Sequence, residues 1–182
     1  MEPTDETLQR LSKIEIFSDF PANTPENIAR LKRICLALGH KDFKEGDVII
    51  QEGAEGDKEN TLYILYDGKV QVRKKTPSGD DFAVVDLYKE YNVFFGELAL
   101  IDHDKRSASI VALSDCKTLT LTDKDFIQLC ENDPYLGYKS LLKIAKRMSS
   151  NIRKSTSETL AIYQALIDEV EGIDEVEGID ED

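Results

Sequence analysis

The spacing of apolar positions changes twice along this chain, and each change predicts a different kind of element. Over the first forty residues apolar positions recur at helical spacing. Thr7-Leu8-Gln9-Arg10-Leu11-Ser12-Lys13-Ile14 is one such run, and Ile16-Phe17-Ser18-Asp19-Phe20 with Pro21 breaks it. A second helix restarts at Thr24-Pro25-Glu26-Asn27, where Thr24 suits the N-cap and Pro25 the first helical position. Ile28, Leu31, Ile34, Cys35 and Leu38 form its apolar stripe, and Gly39 is expected to stop it.

From Lys41 to Asp123 the period shortens to that of strands. Val48-Ile49-Ile50 is a short β-branched run, Glu52 to Asp57 reads as a loop, and Leu62-Tyr63-Ile64-Leu65-Tyr66 is a strand. Asp67-Gly68 signals a hairpin into Val70-Gln71-Val72-Arg73, and Pro77-Ser78-Gly79-Asp80 a second turn before Phe82–Leu87. Ser107 to Leu113 and Lys117 to Thr122 are further strands. Short strands at this spacing predict a β-roll of about eight antiparallel strands, in an α+β chain.

From Lys124 the helical period returns, and Asp133-Pro134 opens a long helix. Leu141, Ala145, Met148 and Ile152 recur at a 4-3-4 spacing, the stripe turns polar at Ser155 and Thr159, and Leu160, Tyr163, Ile167 and Val170 take over. The pattern is coiled-coil-like and short. It allows pairing with a second chain as well as packing on its own domain. The end repeats Glu-Val-Glu-Gly-Ile-Asp twice, which reads as an acidic, disordered tail or a short partner-binding motif. The organisation expected is helices over 1–40, the roll over 41–123, lid or dimerisation helices over 124–170, and a disordered acidic tail over 171–182.

Composition narrows the function. The net charge is -13, with 36 acids against 23 bases. Gripping duplex DNA or an anionic membrane surface needs the opposite balance, so neither partner is expected. No apolar run approaches the ~18 residues that span a bilayer, and the N-terminus carries no secretory signal. A cytoplasmic protein is expected. Three cysteines without C-x-x-C spacing read as reduced thiols, and two histidines 63 positions apart do not build a metal site. A small metal-dependent barrel enzyme would need clustered ligands, so neither a metal site nor catalytic residues are expected.

Candidate chemistry concentrates between Phe95 and Ser109. Gly96-Glu97-Leu98-Ala99-Leu100-Ile101 holds good helix formers between two strands. The start of such a turn offers backbone N–H groups to an anion. Gly96 lets the backbone approach a ligand closely. Glu97 supplies a carboxylate that accepts from a sugar hydroxyl. Ten residues after the glycine, the Arg106 guanidinium matches phosphate oxygens two at a time. Ser107 adds a hydroxyl, and the small Ala108 leaves its N–H room to face the same anion. A ligand with both a hydroxylated sugar and a phosphate satisfies all of these. A plain Glu97–Arg106 salt bridge without ligand is the alternative.

Phe95-Gly96-Glu97-Leu98-Ala99-Leu100, five residues, then Arg106-Ser107-Ala108-Ser109 resembles the phosphate-binding cassette of the cyclic nucleotide-binding domain family. The resemblance extends to Phe43-x-x-Gly46-Asp47-x-Ile49 and Leu62-Tyr63-Ile64-x-x-x-Gly68-x-Val70, and covers roughly residues 12–155. It implies Glu97 on the ribose 2′-hydroxyl with the Gly96 backbone nearby, and Leu98 and Ala99 in the same turn. It implies Arg106 on the cyclic phosphate with Ser107 and the Ala108 N–H. Val84 and Leu87 are implied on the base side, and Asn151, on the lid helix, as a reader of the purine edge. Two features depart from the pattern: Tyr91-Asn92-Val93-Phe94 replaces a glycine before the cassette, and acids crowd the Glu52–Asn60 loop and Asp102-His103-Asp104.

The expected reading is a stand-alone sensor without enzymatic activity or cofactor. Its ligand would be cAMP, with cGMP or a cyclic dinucleotide as alternatives. With thirty residues after Ile152, a DNA-reading helix-turn-helix output is not expected. The output expected is a protein effector met through the C-terminal helix, which also offers a homodimer. A ligand-independent interaction module on the same fold is the competing reading.

Overall fold

The computed structural model describes residues 2–54, 60–102 and 104–177. The chain divides into two compact units, Met1–Leu141 and Leu142–Asp182. The first begins with α1 (Asp5–Leu11), capped by Thr4, whose side chain accepts from the Thr7 N–H. A short 3₁₀ turn follows at Glu15–Phe17, then α2 (Pro25–Ala37). Thr24 caps α2 through the Asn27 N–H at 3.2 Å, as the sequence predicted. Leu8, Leu11, Ile16, Phe17, Phe20, Leu31 and Ile34 are buried and give these helices a common core.

Gly39 does not stop α2 in a left-handed turn. The helix ends at Ala37 with Leu38 extended, and Gly39 opens strand β1 (Gly39–Phe43). Its role is steric: a Cβ there would lie 2.5 Å from Thr120 Oγ1 on the paired strand.

Seven more strands follow: β2 (Val48–Ile50), β3 (Thr61–Asp67), β4 (Lys69–Lys75), β5 (Asp81–Tyr88), β6 (Phe94–Phe95), β7 (Ser109–Ala112) and β8 (Cys116–Thr122). They form two four-stranded antiparallel sheets, ordered β1-β8-β3-β6 and β2-β7-β4-β5. The expected roll is therefore present, but Asp67-Gly68 is not a hairpin. β3 pairs with β6 and β8, while β4 pairs with β5 and β7. The chain passes from one sheet to the other at Gly68. Its φ of +92° and the Asp115 carbonyl, 2.5 Å from where a Cβ would stand, make glycine the residue that fits this corner. The β4–β5 turn behaves as expected, with Thr76 N donating to Asp80 O at 2.8 Å. The strand expected over Ser107–Leu113 is shorter, because Ser107 and Ala108 belong to the preceding bend.

Apolar residues from both sheets meet inside: Phe43, Ile49, Ile50, Tyr63, Leu65, Val70, Phe95, Ile110 and Ala112, with Val72, Leu87 and Val93 packed against them. Strand β5 ends its sheet and leaves Phe82 62% and Val84 50% exposed. Cys35, Cys116 and Cys130 are free thiols, and burial pushes the pKa of each above its ordinary value.

α3 (Asp123–Asn132) follows β8 directly. Thr122 Oγ1 accepts from the Asp125 N–H at 3.1 Å and donates to the Asp125 carboxylate at 2.7 Å. Thr122→Ala is expected to lower the unfolding free energy by about 1 kcal/mol. Urea denaturation reads this, and an unchanged midpoint would show the cap to be dispensable.

α4 (Pro134–Glu177) starts under tight control. Asp133 Oδ1 accepts from the Leu136 N–H at 3.1 Å. Its Oδ2 takes Arg30 Nε at 2.8 Å and Arg33 Nη2 at 2.6 Å. Arg30 also sits 5.1 Å from the Tyr135 ring centroid, and Lys139 pairs with Asp19 at 3.1 Å. One buried carboxylate thus joins α2 to the first turn of α4.

The second unit is the rest of α4. Its helix continues through Glu177, well into the stretch expected to be a disordered tail. The expectation for residues 178–182 lies outside the described residues. No helix among the described residues is long and apolar enough to cross a membrane.

Candidate functional site

The site is built where β6 runs into the turn that follows it. Phe94 and Phe95 pair with Ile64 and Tyr63 of β3, and Phe95 stacks on Tyr63 with centroids 5.6 Å apart. Just before the strand, Asn92 takes the left-handed conformation (φ 49°, ψ 42°), which asparagine tolerates better than most residues. Buried aromatic side chains fix β6, and the next residue must turn sharply out of it.

Gly96 makes that turn with φ +78°. A Cβ there would stand 3.0 Å from the Thr61 carbonyl and from Ile50 Cδ1, and 3.2 Å from Arg106 Nη1. Glycine is required both for the backbone angle and for the space that Arg106 occupies. Glu97–Leu100 then forms the single helical turn expected from the sequence, and it is 3₁₀. Ala99 and Leu100 point into the core, while Glu97 and Leu98 are half-buried. A four-residue turn has too few aligned peptides for a macrodipole, so anything it offers an anion comes from individual N–H groups.

Arg106 is brought back to this turn across ten residues. It is 9% exposed, and its Nη1 donates to the carbonyls of Thr61 (3.3 Å) and Gly96 (3.4 Å). Its backbone is held as well: Gly53 N donates to Arg106 O at 2.9 Å, and Arg106 N to Ala54 O at 3.3 Å. Ser109 Oγ secures the same loop, accepting from the Glu52 N–H at 2.9 Å and from Gln51 at 3.2 Å. Sequence reasoning missed this support. It read the Glu52–Asn60 loop only as a source of opposing acids, because backbone hydrogen bonds carry no side-chain signature. The serine next to the strand start was the one available signal.

The structure therefore brings Gly96, Glu97, Leu98, Ala99 and Arg106 to one place, with Ser107 exposed and Ala108 half-buried immediately after. Leu87 packs on the roll core, but Val84 has no partner in β4, because the register shifts between Val72 and Arg73. Asn151 is an exposed residue of α4 within the second unit. A separate cleft of about 630 Å³ contains none of these residues and is lined by Arg10, Lys13, Tyr66, Lys89 and Lys117 among others. Among the described residues no group of His, Cys, Asp or Glu is placed to hold a metal ion.

Residues 40–133 match the family described as the cyclic nucleotide-binding domain. The chain belongs to the cyclic nucleotide-binding domain family. It is 30% identical over 129 residues to the cAMP-dependent protein kinase regulatory subunit of Dictyostelium discoideum, covering 67% of this chain and 38% of that protein. It is 34% identical over 154 residues to human cGMP-dependent protein kinase 2, covering 78% of this chain and 19% of the kinase. The chain thus spans well under half the length of these curated relatives. A cyclic nucleotide-binding domain from Methylobacillus flagellatus has the same fold. Its TM-score is 0.69 at 22% identity, over 86% of this chain and 84% of that one. Membership in the cyclic nucleotide-binding domain family places the chain among regulatory binding domains, and its roll is the family's fold.

Proposed function

We propose that this chain is a regulatory sensor that binds a cyclic nucleotide, cAMP in preference to cGMP, and signals to a protein effector through α4. The observation that carries this reading is Arg106: a guanidinium that is nine-tenths buried, aimed at the carbonyl end of Gly96, with its backbone anchored on both sides. A guanidinium donates to two oxygens at once, and a cyclic phosphate seated by Gly96 is an anion of the right shape. Glu97, on the same turn, accepts from the ribose 2′-hydroxyl. Ser107 and the Ala108 N–H complete the phosphate contacts. The effector link rests on Asp133, which ties the start of α4 to α2.

A cGMP reading has its own support, since human cGMP-dependent protein kinase 2 is among the relatives. The Ser107 hydroxyl suits either nucleotide. Parallel calorimetric titrations with cAMP, cGMP and a cyclic dinucleotide separate the readings. Binding of cAMP at least several-fold tighter than cGMP is expected. The reverse order would move the assignment to cGMP, and no heat from any of the three on folded protein would leave the ligand-independent module standing.

A further inference from the structure

Strands β2 and β7 pair through Val48 with Val111 and Ile50 with Ile110, and the ladder between them ends there. Beyond it β2 runs on into the loop 51–54, and β7 is preceded by the bend at Ser107 and Ala108. Main-chain pairing resumes on the far side of that bend, where Gly53 N donates to Arg106 O at 2.9 Å and Arg106 N to Ala54 O at 3.3 Å. A side chain spans the interruption. Ser109 Oγ accepts from the Glu52 N–H at 2.9 Å and from Gln51 Nε2 at 3.2 Å. Ser109 is 5% exposed, and its main chain is held in register with Arg73 of β4. The loop is tied on its other flank as well, because Glu52 Oε2 accepts from the N–H of Lys75, the last residue of β4, at 2.8 Å.

We propose that Ser109 is a positioning residue for the nucleotide phosphate, acting through Arg106 and not by touching the ligand. This role rests on the cyclic-nucleotide reading of the site. A hydroxyl oxygen has two lone pairs, and Glu52 and Gln51 take both, so no acceptor is left for a ligand. What the hydroxyl supplies is a fixed loop. The bonds of Arg106 Nη1 to Thr61 and Gly96 are long, at 3.3 and 3.4 Å, so the aim of the guanidinium depends on its backbone as well. That backbone is bonded to Gly53 and Ala54. A two-pronged phosphate contact holds only while the fork stays within about 0.5 Å of its place. Without the hydroxyl, the Glu52 N–H and the Gln51 amide lose a buried acceptor and turn toward water. The loop then carries the Arg106 main chain with it.

The test is a double-mutant cycle on the full chain, titrated by calorimetry with whichever of cAMP and cGMP the parent binds more tightly. Ser109→Ala is expected to weaken binding roughly fivefold or more. In an Arg106→Ala background the same change should cost less than about twofold, because nothing is left to position. A role in general packing would weaken both backgrounds alike, and equal losses would overturn the inference. The isosteric pair Ser109→Thr and Ser109→Val isolates the hydroxyl: threonine should bind within about twofold of the parent, and valine should match alanine. Valine binding as threonine does would also overturn it. Melting without ligand confirms that each variant is folded, and the threonine–valine pair carries the comparison if alanine does not fold. Failure of the underlying reading looks different. The parent then gives no heat, or Arg106→Ala binds as tightly as the parent, and the role of Ser109 falls with it.

Discussion

Arg106→Ala is expected to weaken cyclic-nucleotide binding by about 2–3 kcal/mol, or roughly 30- to 150-fold. The loss has two sources. The charge-assisted, two-pronged contact with the phosphate disappears. The bonds by which Arg106 Nη1 holds the Thr61 and Gly96 carbonyls, at 3.3 and 3.4 Å, are lost with it. Arg106→Lys separates these effects: it keeps the charge and loses the fork, so an intermediate affinity is expected. Calorimetry measures both, and melting without ligand controls for folding. A variant that binds as tightly as the parent would remove the phosphate assignment while leaving the family membership intact.

Asp133→Ala is expected to cost about 3 kcal/mol of stability. The carboxylate side chain is 10% exposed and its main partner Arg30 only 11%. Removing one member of a buried pair strands the other's charge, which is worth more than the pair's own attraction. The same substitution deletes the acceptor for the Leu136 N–H and so the cap of α4. Glu26, 2.7 Å from Arg30 but itself 75% exposed, recovers a minor part. Asp133→Asn keeps the cap and loses the charge, so it should fall between. Chemical denaturation with a two-state fit decides, and a midpoint within error of the parent would show that α2 and α4 are held by apolar packing alone.

Local chemistry was legible and topology was not. Thr24-Pro25 announced α2 because capping and a fixed proline φ act within one turn. Phe95–Ser109 announced the single turn after Gly96 because its residues lie in one continuous stretch. Asp67-Gly68 misled, since a glycine at positive φ serves a hairpin and a corner between sheets equally well. Which one forms depends on whether β8 or β4 pairs with β3, fifty residues away. Gly39 misled for a related reason. Its missing side chain answers to Thr120 across the sheet, not to the helix it follows. The support under Arg106 was invisible because it consists of main-chain bonds from Gly53 and Ala54.

Strand β5, the open margin of its sheet with Phe82 and Val84 in water, bears on how this protein behaves in the test tube. Unpaired strand margins with apolar side chains recruit one another into extended ribbons unless something keeps molecules apart. Here that something is the excess of thirteen carboxylates, which makes neighbouring molecules repel. Acidifying the solution discharges it. Colloidal stability and purification pH are therefore set by the surplus of acids, and the protein is best kept well above the pH at which its carboxylates begin to take up protons.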